Sequence, residues 1–135
     1  MTQNAVVTLA RSAEEIGTGT VYLLQKIEAL ETNIEEGEDE DFIHSTPYAF
    51  EKAKEWIGQC DFLLNHRLPA GHVSETGSGG LRMDWRNGEA ELTLVIPSRP
   101  NGRGYIYYQR GDVSGVEKEL NATNIAKWQQ WLQPL

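Results

Sequence analysis

Residues 81–96 read Leu-Arg-Met-Asp-Trp-Arg-Asn-Gly-Glu-Ala-Glu-Leu-Thr-Leu-Val-Ile, and they contain the clearest structural signal in the chain. Apolar and polar residues alternate on both sides of Asn87-Gly88, a favoured two-residue turn between antiparallel strands. With this turn Met83 lies opposite Leu92, and the apolar side chains of both strands share one face. The sequence therefore predicts a β-hairpin with one buried face and one wet face.

The same turn also fixes the pairs expected on the wet face. It places Arg86 opposite Glu89, which is an ion pair, and Asp84 opposite Glu91, which brings two like charges together. Arginines on the diagonals of the hairpin are expected to reduce the repulsion between these two carboxylates.

Strand character continues beyond the hairpin. A loop at 97–103, rich in Pro, Gly and Arg, leads to a third strand predicted over 104–109. A fourth, shorter strand is placed near 116–120, where the alternation is weaker. We expect an antiparallel meander of three or four strands within residues 80–120.

Helices flank this sheet in the sequence. Thr46-Pro47 is a strong helix start and predicts a helix over 46–65, while Asn121 is expected to cap a last helix over 121–133. The last helix carries an apolar stripe that suits packing on the sheet: Ile125, Trp128, Trp131 and Leu132. With a length of 135 residues, the chain is expected to form a single α+β domain, 1–135.

Nine residues near the N-terminus follow a three-four spacing, and all but one are apolar: Val6, Leu9, Ala13, Ile16, Thr20, Leu23, Ile27, Leu30 and Ile34. This spacing predicts one long helix over 1–36, or two helices broken at Gly17-Thr18-Gly19. A helix of that length exceeds what the domain needs to cover its core, so part of the seam is expected to face another chain. The residues proposed for such a homodimer seam are Val6, Leu9, Ala13, Ile16 and Leu23.

Charge is unevenly distributed along this acidic chain. The net charge is −8, and residues 1–66 hold 4 Lys and Arg against 13 Asp and Glu. The run at 35–41 is almost entirely acidic, which predicts an exposed linker over 37–45. An acidic domain is repelled by phosphate backbones and anionic membranes, so a basic protein partner is expected instead of nucleic acid or a membrane.

Few residues suggest catalysis or metal binding. Cys60 is the sole cysteine, and His44, His66 and His72 are widely spaced, so no metal site, cofactor or nucleophilic catalytic group is predicted. The lone cysteine fits a reducing compartment, and neither a signal peptide nor a membrane span is recognised. We expect a cytoplasmic location.

Cations and aromatics crowd one loop and strand, and this patch is the main binding candidate: Arg99, Arg103, Tyr105, Tyr107, Tyr108 and Arg110. Arginine and tyrosine are enriched at the energetic centres of interfaces, and both also stack on bases or hold phosphate. The alternative is that either Tyr105 and Tyr107 or Ile106 and Tyr108 form the core face of the strand, with the arginines in solvent.

Three stretches carry a resemblance: 79–88, which includes the first strand of the hairpin, the strand at 104–108, and the helix at 125–132. Together with the helix after Thr46-Pro47, they make the chain resemble a set of small uncharacterised bacterial proteins that are often cyanobacterial. Members tend to carry a tryptophan, aspartate and glycine motif where this chain has its acidic linker, and that motif is missing here. The resemblance implies an α+β fold and a cytoplasmic bacterial origin.

Two functional hypotheses follow from these patterns. The first is a non-enzymatic module for protein–protein interaction, which neutralises or chaperones a basic partner in the manner of an antitoxin or immunity protein. The alternative is a subunit that binds a small ligand or nucleotide through the Arg/Tyr patch at 99–110. A lesser reading is an acidic mimic of nucleic acid that occupies a basic groove.

Overall fold

The computed structural model of the chain describes residues 16–33 and 41–133. This part contains three helices, α1 (Thr18–Thr32), α2 (Pro47–Leu63) and α3 (Ala122–Leu132). The five strands are β1 (His72–Glu75), β2 (Leu81–Asn87), β3 (Ala90–Ile96), β4 (Tyr105–Arg110) and β5 (Val113–Glu117). The α+β class, the antiparallel sheet and the C-terminal helix were predicted and are confirmed.

The five strands form one antiparallel sheet in the order β1-β2-β3-β4-β5. The helices cover one face of this sheet, with α2 packed on β2 and β3 and α3 packed on β3. Alternate strand residues enter the core, which is why each strand can bury one face and leave the other in solvent. The largest fully buried side chains include Phe50, Ile57, Leu81, Met83, Leu92, Leu94, Ile106 and Ile125.

The hairpin forms, but the predicted register is wrong by two residues. Asn87 pairs with Ala90, and Met83 pairs with Leu94, so the turn residues are Gly88 and Glu89. Gly88 has a φ of 61°, as a two-residue hairpin with glycine at its first turn position requires. A shift of two leaves every side chain on its predicted face, and for this reason the hydrophobic pattern cannot detect it.

The polar face shows why the observed register is preferred. Asp84 lies opposite Thr93, whose hydroxyl donates to the Asp84 carboxylate over 2.7 Å. Arg86 lies opposite Glu91 and forms an ion pair with it at 3.0 Å. The predicted register instead opposed Asp84 to Glu91, and the observed one removes that repulsion.

The sheet has five strands instead of the predicted three or four. β1 lies in a segment, 69–80, that turn-forming residues marked as a loop, and it is stabilised by pairing with β2. β5 begins at Val113, earlier than predicted, because a tight turn at Gly111 and Asp112 brings Val113 opposite Arg110. Both misses concern short edge strands, whose own alternation is weak and whose formation depends on pairing with the neighbouring strand.

Residues 1–15, where the first of the two alternative helices was predicted, lie outside the described residues. Helix α1 matches the alternative with a break at Gly17-Thr18-Gly19 and not the single helix over 1–36. It begins at Thr18, and Gly17 before it has extended backbone with φ −64° and ψ 152°. A Cβ at Gly17 would lie 2.3 Å from the carbonyl oxygen of His66, so only glycine fits at this position. A single helix through Gly17 is therefore wrong, and α1 ends at Thr32. The predicted seam residues Val6, Leu9, Ala13 and Ile34, and linker residues 37–40, lie outside the described residues.

The two other helix starts are confirmed. Thr46 caps α2 by accepting the backbone N–H of Ala49, and Asn121 caps α3 by accepting the backbone N–H of Asn124. Side-chain caps of this kind satisfy donors that the first helical turn leaves without partners.

Candidate binding cleft

A cleft of about 650 Å³ opens where the end of the sheet meets α2. Its walls come from α2, from the loop before β4, from the start of β4, and from the end of β5 with the residues after it. The lining residues are Tyr48, Trp56, Pro97, Pro100, Gly102, Arg103, Gly104, Tyr105, Val116, Lys118 and Leu120. Because β4 and β5 are antiparallel, the first residues of β4 and the last of β5 meet at this same end.

The shape of the cleft depends on close packing at Gly104. A Cβ at this position would lie 2.4 Å from Cδ2 of Leu120 and 2.8 Å from Cδ of Pro97. These distances are too short for any other residue without movement of the loop or of the chain after β5. Gly104 therefore lets the loop at 97–103 close over the end of the sheet and places Arg103 at the mouth of the cleft.

The aromatic wall of the cleft is supplied by α2. Tyr48 and Trp56 are half-buried and lie about two turns apart on the same side of the helix. Lys52 between them places its ammonium 5.7 Å from the centre of the Trp56 ring. Tyr105, which is 38% exposed, lines the cleft from β4.

The charge of the cleft is opposite to that of the chain. Arg103 and Lys118 are both exposed, and neither forms an ion pair with any residue in the described part of the chain. Among the described residues no acidic side chain lines the cleft, although the chain as a whole carries a net charge of −8. Two unpaired cations beside half-buried aromatics are suited to an anionic group attached to an apolar or aromatic body.

The structure divides the predicted Arg/Tyr patch into three parts. Arg103 and Tyr105 line the cleft, while Arg99 is exposed in the same loop without lining it. Tyr107 lies on the open face of the sheet, and its hydroxyl donates to Oε1 of Gln109 over 3.0 Å. The period of two along β4 places Tyr105 and Tyr107 on the same face of the strand, opposite to Ile106 and Tyr108.

The remaining part of the patch is structural. Tyr108 faces the helices and stacks on Trp128, with ring centres 3.9 Å apart and planes 13° apart. Arg110 lies 4.2 Å above the Trp131 ring and donates to the Trp131 carbonyl oxygen over 2.6 Å. Of the two alternatives for the core face of β4, Ile106 and Tyr108 is the correct one.

Outside the loop before β4, sequence reasoning missed five contributors to the cleft: Tyr48, Trp56, Val116, Lys118 and Leu120. The two aromatics lie within the helix predicted over 46–65, and the other three residues lie within the strand predicted near 116–120. One signal in the sequence could have indicated the cleft. Tyr48 fits the apolar stripe of α2 incompletely, so its aromatic ring lies at the border of the buried face.

The described part of the N-terminal seam contributes to this chain's own core. Leu23 and Ile27 are fully buried against α2, and Thr20 is 1% exposed. Ile16, just before α1, is exposed. Leu23 is thus unavailable to a second chain in this fold, and only Ile16 among the described residues proposed for the dimer seam remains accessible.

A second polar cluster lies where α1 begins against the end of α2. Oδ1 of Asp61 accepts the backbone N–H of Gly17 over 3.0 Å and the hydroxyl of Thr20 over 2.8 Å. Oδ2 of Asp61 lies 2.6 Å from Nδ1 of His66. Burial opposes ionisation of Asp61, but the hydrogen bonds from His66, Thr20 and Gly17 outweigh it and hold the pKa of the carboxyl below its usual value.

Neither this cluster nor Cys60 forms a recognisable catalytic arrangement. Burial raises the pKa of the Cys60 thiol to about 12, so it stays protonated and donates weakly to the Ala122 carbonyl oxygen. Within residues 16–33 and 41–133, no group of three or more His, Cys, Asp or Glu side chains is arranged to hold a metal ion. None of the three described helices has the length and apolar character needed to cross a membrane.

Comparisons with protein families, with curated proteins and with solved structures found no match to this chain.

Proposed function

We propose that this protein is a non-enzymatic interaction module, and that its cleft binds a segment of a partner protein that carries an acidic side chain next to an apolar one. The observation that carries this proposal is the pair of unpaired cations, Arg103 and Lys118, at the mouth of an aromatic cleft. Charged side chains of a folded protein commonly pair with each other, whereas these two exposed cations both line a concave surface.

The electrostatic setting favours a specific contact over general attraction. A chain with a net charge of −8 repels acidic partners at long range, so an acidic segment gains only where cations are concentrated. Aromatic and arginine side chains also dominate the energetic centre of protein interfaces, and Trp56, Tyr105 and Arg103 provide both types here.

The shape of the cleft favours a chain segment over a compact molecule. The cleft is open towards β5, where Val116 lines it and remains 49% exposed. An extended segment can place one apolar side chain among the aromatics and continue along this exposed surface.

This surface differs from the one on which the expectation of a basic partner was based. That expectation rests on the net charge of −8 and on the 13 Asp and Glu of residues 1–66, several of which lie outside the described part of the chain. A basic partner stays a prediction from composition. The cations of the cleft favour a negatively charged group on the partner instead.

The experiment is a selection of random peptides displayed on phage against the full chain, followed by titration of the enriched peptides by fluorescence anisotropy. We expect the enriched peptides to contain Asp or Glu near an aromatic or aliphatic residue. Arg103→Gln combined with Lys118→Gln should weaken their binding about tenfold or more, because two charge-assisted contacts are removed.

Arg99→Gln is the matched control, since it removes the same charge from the same loop without touching the cleft. Its effect on binding should stay below about twofold. Equal losses for Arg99→Gln and Arg103→Gln would show that only general charge is sensed. Failure to enrich any peptide would exclude the protein-segment proposal.

The cleft volume supports a second candidate function, binding of a small anionic ligand such as a nucleotide or an aromatic acid. A volume of about 650 Å³ lies within the range of small-molecule sites. Thermal unfolding with a panel of anionic metabolites tests it: a ligand at about 100 times its Kd should add about 2.7 kcal/mol, and this gain should vanish in the Arg103→Gln and Lys118→Gln variant. A flat response across the panel would count against this candidate.

A further inference from the structure

The two edges of the sheet are protected to different degrees. β5 has one hydrogen-bonded neighbour, β4, within the described part of the chain. Val113 and Val116 of β5 are 60% and 49% exposed. An edge strand presents alternate backbone N–H and C=O groups that have no partner in the sheet, and exposed valines beside them are suited to pairing with another chain.

The opposite edge, β1, is protected by its own chain. Ile43 forms a parallel bridge with Ser78, just after β1, and the backbone N–H of Ile43 donates to the Gly77 carbonyl oxygen. Glu75 at the end of β1 accepts the backbone N–H of Ser45 over 2.8 Å. Helix α1 also packs against β1. Together these contacts surround β1, which is only four residues long.

β5 carries few of the usual safeguards against edge pairing. Its sequence, Val-Ser-Gly-Val-Glu, contains no Lys, Arg or Pro. Its single charged residue, Glu117, turns towards α3 and contacts Nζ of Lys127 at 3.8 Å and Nε1 of Trp128 at 3.4 Å. Charge is therefore confined to Glu117 and to the flanking residues Asp112 and Lys118, and the first four residues of the strand carry none.

The unprotected edge leads directly into the cleft. Val116 of β5 is a lining residue, and Lys118 follows the strand by one position. A segment that runs beside β5 would therefore meet Lys118 and then Arg103 at the same end of the sheet.

We propose that the partner segment binds as an extended sixth strand beside β5, with its backbone paired to the outer edge and its acidic side chain at Arg103 and Lys118. This inference rests on the proposed function and specifies how the segment is held. Main-chain hydrogen bonds supply affinity in this mode of recognition, and side chains at alternate positions supply specificity.

The test uses the peptide selected against the full chain, resynthesised with a single N-methyl group at each position in turn. Strand addition predicts a period of two: N-methylation should weaken binding about tenfold at every second residue of the paired stretch and less than about twofold at the residues between. The dissociation constants are measured by fluorescence anisotropy with the unmodified peptide as reference.

Amide hydrogen exchange of the protein supplies a second readout. On binding of the peptide, alternate amides of Val113–Glu117 should exchange at least about tenfold more slowly, while the amides of His72–Glu75 on the opposite edge should not change. The β1 amides serve as the internal control, because they belong to the same sheet and lie far from the cleft.

The outcomes separate this inference from the proposed function. A selected peptide that needs Arg103 and Lys118 but tolerates N-methylation at every position, with unchanged exchange in β5, would overturn strand addition and leave the cleft proposal intact. Failure to select any peptide would overturn the proposed function and this inference with it. Protection of β5 without any peptide, accompanied by a doubled mass in sedimentation, would show that a second copy occupies the edge and would also overturn it.

Discussion

At the start of α1, the Asp61 carboxylate accepts two hydrogen bonds at one oxygen and contacts His66 at the other. At the cleft, by contrast, Arg103 and Lys118 contact no acidic group among the described residues. Both regions concentrate polar side chains, yet only the first uses them to hold the fold together. The difference indicates which charged groups stabilise the fold and which remain available to bind another molecule. The following predictions test that distinction, first through the fold and then through the cleft.

The largest effect is expected for Asp61→Ala. The substitution leaves the Gly17 N–H, the Thr20 hydroxyl and the His66 ring without their shared acceptor in a buried place, and should lower the free energy of unfolding by about 3 kcal/mol. Urea unfolding followed by tryptophan fluorescence measures it. Asp112→Ala, at an exposed turn, is the control and should change stability by less than about 0.5 kcal/mol. Equal effects would show that the Asp61 cluster does not hold the fold together.

Gly19→Ala tests how tightly α1 packs beside this cluster. A Cβ at Gly19 would lie 2.1 Å from the carbonyl oxygen of Leu68, and this backbone contact should cost about 2 kcal/mol. Gly58→Ala is the matched control within α2, since nothing lies within 4 Å of its Cβ position. There alanine should stabilise the protein by about 0.5–1 kcal/mol through helix propensity. Thermal unfolding of both variants should therefore shift in opposite directions, and a common direction would contradict the described packing.

The Asp61 cluster should also give the stability a distinct dependence on pH. The pKa of Asp61 is lowered in the fold, so its contribution is complete above the unfolded value near about 3.9 and is lost as pH falls through the lower folded value. Asp61→Asn lacks this ionisation. The difference in unfolding free energy between the native protein and Asp61→Asn should therefore narrow as pH falls below about 4 in urea titrations. A difference that stays constant down to about pH 2 would contradict the assigned hydrogen bonds. The pKa of Asp84 is lowered as well, but Asp84 is present in both proteins, so its contribution cancels in the difference.

The smallest effect on stability is expected at the cleft. Arg103→Gln with Lys118→Gln removes two exposed cations without ion-pair partners among the described residues, so the free energy of unfolding should change by less than about 0.5 kcal/mol. The same pair of substitutions should reduce peptide binding about tenfold. Urea unfolding measures the stability, and an unchanged free energy of unfolding together with weaker binding would show that these cations serve binding and not the fold. A large loss of stability would show that these cations support the fold after all.

Much of the fold could be predicted because its signals are local. Thr46 and Asn121 satisfy helix donors within three residues, and the alternation through Met83 and Leu92 specifies which strand face is buried. The hairpin register could not be predicted from the same alternation, because a shift of two residues buries the same side chains. The pairing of Asp84 with Thr93 and of Arg86 with Glu91 is what distinguishes the two registers.

The candidate site was only partly predictable. Arg103 and Tyr105 were included in the predicted patch, but the patch also contained Tyr108 and Arg110, which the alternation of β4 directs towards α3. The other half of the cleft comes from α2, through Trp56, and no local pattern relates a helix residue to a loop more than forty positions away.

By itself the sequence determined the α+β class, the two capped helices, the buried face of the hairpin and the acidic balance of the chain, since each depends on neighbours within a few positions. Packing of distant segments ended the choice between one helix and two, because Gly17 lies against His66 and α1 begins only at Thr18, and it brought Trp56, Arg103 and Lys118 to one cleft. The energies of such contacts arise only when the chain has packed, so no pattern of neighbouring residues contains them.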